Sequence, residues 1–426
     1  MGILLRFLRG WSCPHPASLR STTLPRFAGE GPFARPAHSP AVRGLRRQRR
    51  RRPKAGWGWG RDRLAGCSAT LFHPAPHRRL MAPTQHRHTA RMIRAAIIGL
   101  GTWGQHLVRC AEGAKHIRFT AAATRTPAKA ADFAAARGLR MLESYEAALA
   151  DPEVDAVVLA TPHTQHTDQI VAAAAAGKPV FTEKPLGVNA AEARRAAEAC
   201  ARAGVTLAVG YNWRFQPALQ RIKALVEDGT LGRILHMEGN FCGPSAYRFP
   251  KGHWRHDRKE GPAGGMTGRG VHVVDAMLSL AGPIEQVTAQ SFRLVQDFGM
   301  DDTTSMLFRF RSGATGYLGT VIATAETWRL QVFGANGWAE VGDVEHLPTW
   351  QLRLCLIDRN DIGKKQRPEV ITFEDTSTER AELDHFAGAA LAKRPLALPD
   401  GDGVHNVAVL EAIMASIASG GPVKVG

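Results

Sequence analysis

The stretch GLGTWG at residues 99–104 directly follows an apolar, strand-like segment at residues 95–98. The pattern predicts a helix from Gly104 onward and a second strand at residues 119–123, which ends about 20 residues beyond the glycines. In that setting the glycines let the backbone approach a pyrophosphate, and the helix N-terminus supplies free amides and the positive end of its dipole. We therefore predict a dinucleotide-binding turn made by Gly99, Gly101, Thr102, Trp103 and Gly104.

Strands and helices continue to alternate up to residue 212. The run AVVLA at residues 156–160 is apolar throughout, which is typical of a parallel strand covered on both faces. Asn189 and Glu192 form a capping-box pattern before a long helix. The alternation predicts the α/β class, with a doubly wound parallel sheet forming a Rossmann domain at residues 92–212.

The pattern changes after Tyr211, where strand-like segments follow one another with turn signals between them. We expect an α+β domain at residues 213–426, built on an open, largely antiparallel sheet that binds substrate and forms oligomer contacts. Its predicted strands are residues 234–241, 284–292, 303–310, 315–324 and 327–333. Its predicted helices are residues 217–227, 271–281 and the tail from about residue 378.

The formal net charge of +17 resides in the leading segment. Residues 1–91 contain 19 of the 55 Lys and Arg residues and two of the 38 acids, so the remainder carries 36 of each. The segment lacks useful periodicity, and we expect it to be disordered. It is interpreted as upstream sequence before a later start at Met81 or Met92, as a transit peptide, or as a nucleic-acid-binding tail. The first interpretation is favoured because fold signals begin only at Met92, and nucleic acid is the least favoured partner.

The cysteines indicate a reducing compartment. None of the six forms a CxxC pair, so no metal or redox motif is predicted, and isolated Cys residues fit the cytoplasm. No apolar run reaches the roughly 18 residues needed to span a bilayer, so no membrane partner is expected.

The end of the second strand bears on the choice of cofactor. It reads ATRT at residues 123–126, without the acid that usually holds the ribose of NAD. Thr124 and Arg125 suit a 2′-phosphate, so NADP is preferred over NAD. The alternative is that Arg125 is a solvated surface charge and that either cofactor is accepted.

Further candidates lie where two more parallel strands end, because those ends face the ligand crevice. Thr161 and Pro162 follow the AVVLA strand, and His166 is placed at the cofactor edge, although such a histidine is more often a capping or packing residue. Glu183 and Lys184 end the next strand. Lys184 can exchange a hydroxyl proton during hydride transfer if desolvation and neighbouring charge lower its pKa. Glu183 is expected to contact the cofactor ribose and to orient the lysine.

These motifs together resemble the Gfo/Idh/MocA (glucose–fructose oxidoreductase / inositol dehydrogenase) family. The resemblance rests on VDAVVLATP at residues 154–162, AAGK at 175–178, EKPL at 183–186, YNWRF at 211–215 and HVVD at 272–275. It implies that Lys184 is the acid/base residue and that His272 lies at the substrate hydroxyl. It also implies an NAD(P)-dependent dehydrogenase or reductase acting on a sugar, polyol or cyclic diol, assembled as a homo-oligomer such as a dimer or tetramer.

Other residues are assigned with competing interpretations. Asn212 is expected near the nicotinamide, Trp254 and Arg255 in the substrate pocket, and Asp275 beside the substrate. Trp254 offers an apolar face and Arg255 a clamp for a carboxylate or phosphate, but both equally fit an ordinary loop anchor.

Two departures from the family pattern leave the substrate and the activity open. His163 directly follows Pro162, where the family usually has Asn. Gly268 stands four residues before His272, where many members have Asp. The alternative is therefore a non-catalytic NAD(P)-binding sensor on the same fold.

Overall fold

The computed structural model describes residues 91–394 and 402–426, all within one compact unit. The predicted disorder of residues 1–91 falls, apart from Arg91, outside the described residues.

The first part of this unit is a six-stranded parallel sheet with helices between its strands. The strand order is β3-β2-β1-β4-β5-β6, so the order reverses between β1 and β4. The elements are β1 (Ile93–Ile98), α1 (Thr102–Cys110), β2 (Ile117–Ala123), α2 (Ala131–Ala136), β3 (Arg140–Met141), α3 (Tyr145–Ala150), β4 (Ala156–Leu159), α4 (His166–Ala175), β5 (Val180–Thr182), α5 (Ala190–Ala203) and β6 (Leu207–Val209).

Local sequence signals explain several boundaries. The predicted cap at Asn189 is confirmed, since its side chain accepts a hydrogen bond from the Glu192 amide, and Gly204 ends α5 in the left-handed conformation. Thr126 followed by Pro127 predicts a capped helix that ends at Gly138, and this prediction is wrong. Thr126 makes no side-chain cap, and a 3₁₀ turn at Pro127–Lys129 precedes the short helix α2.

The second part is a nine-stranded sheet in which, among the described strands, only β7 and β10 pair in parallel. Its strand order is β14-β13-β12-β11-β7-β10-β9-β8-β15. The elements are α6 (Pro217–Glu227), β7 (Ile234–Cys242), α7 (Ser245–Arg248), α8 (Val271–Ala281), β8 (Ile284–Phe292), β9 (Thr303–Phe310), β10 (Thr315–Val321), β11 (Thr327–Gly334), β12 (Gly337–Asp343), β13 (Leu352–Leu356), β14 (Glu369–Ile371), α9 (Thr378–Leu391), α10 (Asp402–Ser419) and β15 (Val423–Lys424).

The helix α9 returns to the first sheet. Its buried residues Leu383 and Phe386 belong to the same apolar core as β1 and α1, and the Phe386 ring packs edge-on to that of Phe181 in β5. The region predicted as the second domain, residues 213–426, therefore includes one helix, α9, that packs against the first sheet.

The predicted fold class is confirmed, because a parallel sheet with interleaved helices is followed by a largely antiparallel sheet. Within the described ranges, no helix is both long and apolar enough to cross a membrane.

Candidate active site

The turn between β1 and α1 requires glycine at two positions. Gly99 has φ +94°, and a Cβ there would lie 2.5 Å from the carbonyl oxygen of Ala160 at the end of β4. A Cβ on Gly104 would collide with the carbonyl oxygen of Gly99. The turn therefore packs backbone against backbone, and α1 begins at Thr102 with its first amides at the carboxyl edge of the sheet.

A cleft of about 550 Å³ runs along this edge. Eight of the residues predicted to bind cofactor line it, namely Gly99, Gly101, Thr102, Trp103, Thr124, Arg125, Thr161 and Pro162. Arg125 is exposed, and Glu143 lines the same cleft. We refer to this space as the cofactor cleft.

A second cavity of about 310 Å³ adjoins the cofactor cleft. The lining includes Lys184, His272, Glu183, Trp254 and Arg255, so predicted residues from three separate parts of the sequence meet in one space. The two spaces share the lining residues Trp103, Ala160, Thr161, Phe249, Trp254 and Arg255. We refer to the second space as the substrate cavity.

Lys184 lies just beyond the end of β5, and its Nζ donates a hydrogen bond to the carbonyl oxygen of Gly268 at 2.8 Å. Withdrawal from water lowers the pKa of this lysine from 10.5 to about 8. The negative charge of Glu183 opposes the shift, and the positive charge of Arg255 adds to it. The lysine can therefore both accept and release a proton near neutral pH.

Glu183 is buried beside the lysine. Burial raises the pKa of its carboxyl group, and its Oε1 has no hydrogen-bond partner among the described residues. Gly210, after β6, leaves room for it, because a Cβ there would lie 3.0 Å from Oε1.

His272 lies in the first turn of α8, where its ring stacks on Trp213 at a centroid distance of 5.5 Å. Burial, with the positive charge of Lys184, holds its pKa well below 6.5, so the imidazole is neutral. Its Nδ1 has no hydrogen-bond partner among the described residues. It faces the cavity as a neutral group that can donate or accept one hydrogen bond.

The histidine at position 163 joins the two halves of the site. His163 Nδ1 lies 2.6 Å from the carbonyl oxygen of Glu260, and the Thr164 hydroxyl donates to the Glu260 carboxylate at 2.6 Å. The ring packs edge-on to Trp254 at 5.7 Å. Burial lowers the pKa of His163 to about 3, so it adds no charge to the cavity.

Four predicted residues lie outside the lining of both spaces. Gly104 packs under Gly99. His166 is buried, with its ring nitrogens at the carbonyl oxygens of Pro185 and Thr161, which fits the alternative of a packing residue rather than a cofactor contact. The remaining two, Asn212 and Asp275, are held by other side chains.

Asn212 donates through its amide to Glu379 and Thr378 in the α9 region. Asp275 is fully buried in α8 and accepts two hydrogen bonds from Arg214 at 2.8 and 2.7 Å. The structure therefore does not place the Asp275 carboxylate beside a substrate.

Arg269 and His346 also line the substrate cavity, and they were not among the predicted site residues. The Arg269 guanidinium lies over the Phe241 ring at 4.9 Å and donates to Glu326 at 2.6 Å. Its sequence neighbours Gly268 and His272 were both considered as site positions, so the sequence could have indicated Arg269. His346 follows β12 in a segment without a motif, and its position depends on tertiary packing.

Two family models match the chain. One, described as the oxidoreductase family with an NAD-binding Rossmann fold, covers residues 93–211. The other, described as the GFO/IDH/MocA C-terminal domain, covers residues 219–340.

Curated relatives match most of the chain. D-xylose 1-dehydrogenase (NADP(+)) 2 from Haloferax volcanii is 28% identical over 76% of this chain and 98% of its own length. The scyllo-inositol 2-dehydrogenase (NAD(+)) from Bacillus subtilis is 27% identical over 78% of this chain and 96% of its own length. The solved structure of aldose-aldose oxidoreductase from Caulobacter crescentus superposes with a TM-score of 0.70 at 26% identity, covering 78% of this chain and all of its own.

Proposed function

The chain belongs to the GFO/IDH/MocA oxidoreductase family. On that premise we propose that it transfers a hydride between NAD(P) and a secondary alcohol or ketone on a sugar, polyol or cyclic diol. The observation that carries this proposal is Lys184, an amine with a pKa of about 8 in a cavity that adjoins the cofactor cleft.

In the oxidation direction the neutral Lys184 amine takes the proton of the substrate hydroxyl. A nicotinamide cofactor bound in the cofactor cleft, against Gly101, Thr102 and Arg125, would supply the acceptor for the hydride of the carbinol carbon. The products are a ketone, the reduced cofactor and the Lys184 ammonium. Reduction reverses each transfer, with the ammonium as the proton donor.

The neighbouring residues support this transfer in distinct ways. The neutral imidazole of His272 orients the hydroxyl without adding charge to the cavity. The Gly268 carbonyl oxygen holds the amine in place, where many family members have an Asp side chain in this segment. The Asp is therefore not needed to position Lys184.

The cofactor is NADP(H) in preference to NAD(H). Arg125 lines the cofactor cleft beyond the end of β2. Its positive charge would attract the 2′-phosphate of NADP, which carries two negative charges at most. Glu143 in the same cleft favours NAD(H), and the two relatives described above are named for different cofactors. Calorimetric titration of the full chain tests the preference, which fails if NAD(H) binds more tightly.

The substrate carries an acidic group in addition to its hydroxyls. In the described part of the chain, neither Lys184 nor Arg255 has a carboxylate within salt-bridge distance, although both line the substrate cavity. The Arg255 guanidinium instead lies over the Trp254 and Phe249 rings, at 4.6 and 5.5 Å. A carboxylate or phosphate would neutralise this charge through paired hydrogen bonds.

Turnover is tested by following NADP(H) and NAD(H) absorbance with a panel of sugar acids, neutral sugars, polyols and cyclic diols. Reduction of the oxidised cofactor by at least one hydroxylated compound is expected. Tight cofactor binding without turnover across the panel would favour the alternative, a non-catalytic sensor.

A further inference from the structure

A second group of chemically reactive side chains lies between α1 and α9, behind the glycine turn. His106 and Cys110 are four residues apart on α1, and Glu379 lies near the start of α9. The Nε2 of His106 is 3.4 Å from the Sγ of Cys110 and 3.6 Å from the Oε1 of Glu379. The three ligand atoms all lie within 4.8 Å of one another.

These separations match those of a shared metal ion. Zinc binds thiolate sulfur at about 2.3 Å and imidazole nitrogen or carboxylate oxygen at about 2.0–2.1 Å, so tetrahedral angles place such donor atoms about 3.4–3.6 Å apart. The separations from His106 Nε2 to Cys110 Sγ and to Glu379 Oε1, 3.4 and 3.6 Å, already have these values. Imidazole, thiolate and carboxylate together suit zinc better than magnesium or calcium, which prefer oxygen donors alone.

A buried acid next to the cluster is otherwise unexplained. Glu382, one helical turn beyond Glu379, is 3% exposed, and both of its carboxyl oxygens lack a hydrogen-bond partner among the described residues. A buried polar group without a partner is costly, and a nearby cation would offset that cost.

We propose that His106, Cys110 and Glu379 bind a divalent cation of the zinc class, with water in the fourth position. The ion would join α1, which carries the glycine turn, to α9, which packs against the first sheet. His106 also packs on Trp103 at a centroid distance of 4.8 Å, and Trp103 lines both the cofactor cleft and the substrate cavity. Binding of the ion is therefore expected to stabilise the wall that both spaces share.

The competing explanation is a hydrogen-bonded cluster without metal. The hydrogen bond to Cys110, followed by that to Glu379, raises the pKa of His106 to about 9, which suits an imidazolium at neutral pH. A protonated imidazole cannot bind a metal through Nε2, so the two explanations predict opposite results in a binding experiment.

Titration of the full chain with Co²⁺ tests the proposal, because a thiolate bound to cobalt has a charge-transfer absorption that other ligands do not give. One equivalent with this absorption is expected, competed by Zn²⁺. Cys110→Ser should remove the absorption, and His106→Gln should weaken binding at least about tenfold, the scale of a lost ligand or its support. The matched controls are Cys355→Ser on β13 and His385→Gln on α9, which should bind as the parent does.

The stability of the fold is measured in parallel. Zn²⁺ should raise the Tm of the parent and of both controls but not that of Cys110→Ser. Retention of NADP(H) binding by Cys110→Ser would establish that this variant is folded. The proposal is overturned if the parent gives no thiolate absorption with Co²⁺, or if folded Cys110→Ser retains it.

Discussion

The role proposed for Lys184 depends on its surroundings as well as on its residue type. Its amine donates a hydrogen bond to the Gly268 carbonyl oxygen. Withdrawal of the amine from water lowers its pKa most, and the positive charges of Arg255 and Arg269 in the same cavity lower it further. Glu183 opposes this shift, and burial raises its own pKa. The pKa of about 8 therefore lies close to the pH at which the proposed mechanism has Lys184 exchange a proton.

The pH profile should carry this signature. Oxidation needs the neutral amine, so kcat/KM for the alcohol should rise with pH through about 8 and level off above it. Ketone reduction needs the ammonium and should fall over the same range. Steady-state rates in both directions measure the two profiles, and Lys223→Met, which alters a surface lysine paired with Glu227, should leave them unchanged. Profiles that are flat through this range would contradict the assignment.

Arg255 should discriminate between substrates by charge. Arg255→Met is expected to lower kcat/KM for an acidic substrate about 10- to 100-fold, the worth of one charge-assisted hydrogen-bonded pair, while neutral alcohols change little. Arg258→Met, which alters an exposed arginine paired with Asp301, is the control. An equal loss on both substrates, together with weaker cofactor binding, would instead assign Arg255 to the cofactor.

The sequence predicted the site residues that follow strand ends. Lys184, Glu183, Thr161 and the glycine turn could be placed because parallel strands bring their carboxyl ends to one edge of the sheet. Asp275 could not be placed from the pattern, since the same helix position can face the cavity or the Arg214 guanidinium. The cluster of His106, Cys110 and Glu379 was also hidden, because its ligands come from two helices that are far apart in the chain.

At the scale of elements, two glycines of the β1–α1 turn have different roles. Substitution of Gly99 should affect the stability of the fold, whereas substitution of Gly101 should affect cofactor binding. Gly99→Ala should lower the free energy of unfolding by more than about 1 kcal/mol, because the residue has a positive φ and a Cβ would clash with the Ala160 carbonyl oxygen. A Cβ on Gly101 would point into open space, with nothing within 4 Å of it, so Gly101→Ala should fold normally.

The Gly101→Ala variant should nevertheless bind NADP(H) poorly. Gly101 lines the cofactor cleft, and a methyl group there would occupy the space that a pyrophosphate needs. Urea denaturation and calorimetric titration measure the two effects separately. Unchanged stability in Gly99→Ala, or unchanged affinity in Gly101→Ala, would contradict this account of the turn.

The sequence predicted the helices α6 and α8 but missed several strands, including the seven-residue β12 and the five-residue β13. The helices α6 and α8 begin and end where the periodicity and the flanking residues indicated. The strands β3, β14 and β15 have two or three residues each, too few for a period of two to be recognised. They are defined by pairing with a longer neighbour rather than by their own sequence.

At the scale of the whole molecule, the two sheets meet at the substrate cavity. Lys184 comes from the first sheet and His272 from the helix α8 that packs on β7, so the proposed chemistry needs both parts of the chain. The helix α9 makes a second connection. Phe386 packs in the apolar core of the first sheet, and Glu379 accepts a hydrogen bond from Asn212. The fold class followed from alternation along the sequence, whereas this return of α9 depends on tertiary packing.

The most direct measurement compares the full chain with its Lys184→Met variant on the same substrate and cofactor. The variant should bind NADP(H) with a Kd within about twofold of the parent and lose about 10²- to 10⁴-fold in kcat, the usual contribution of a general acid/base. Turnover within a few-fold of the parent, with cofactor binding intact, would contradict the assignment of Lys184 as the residue that exchanges the substrate proton.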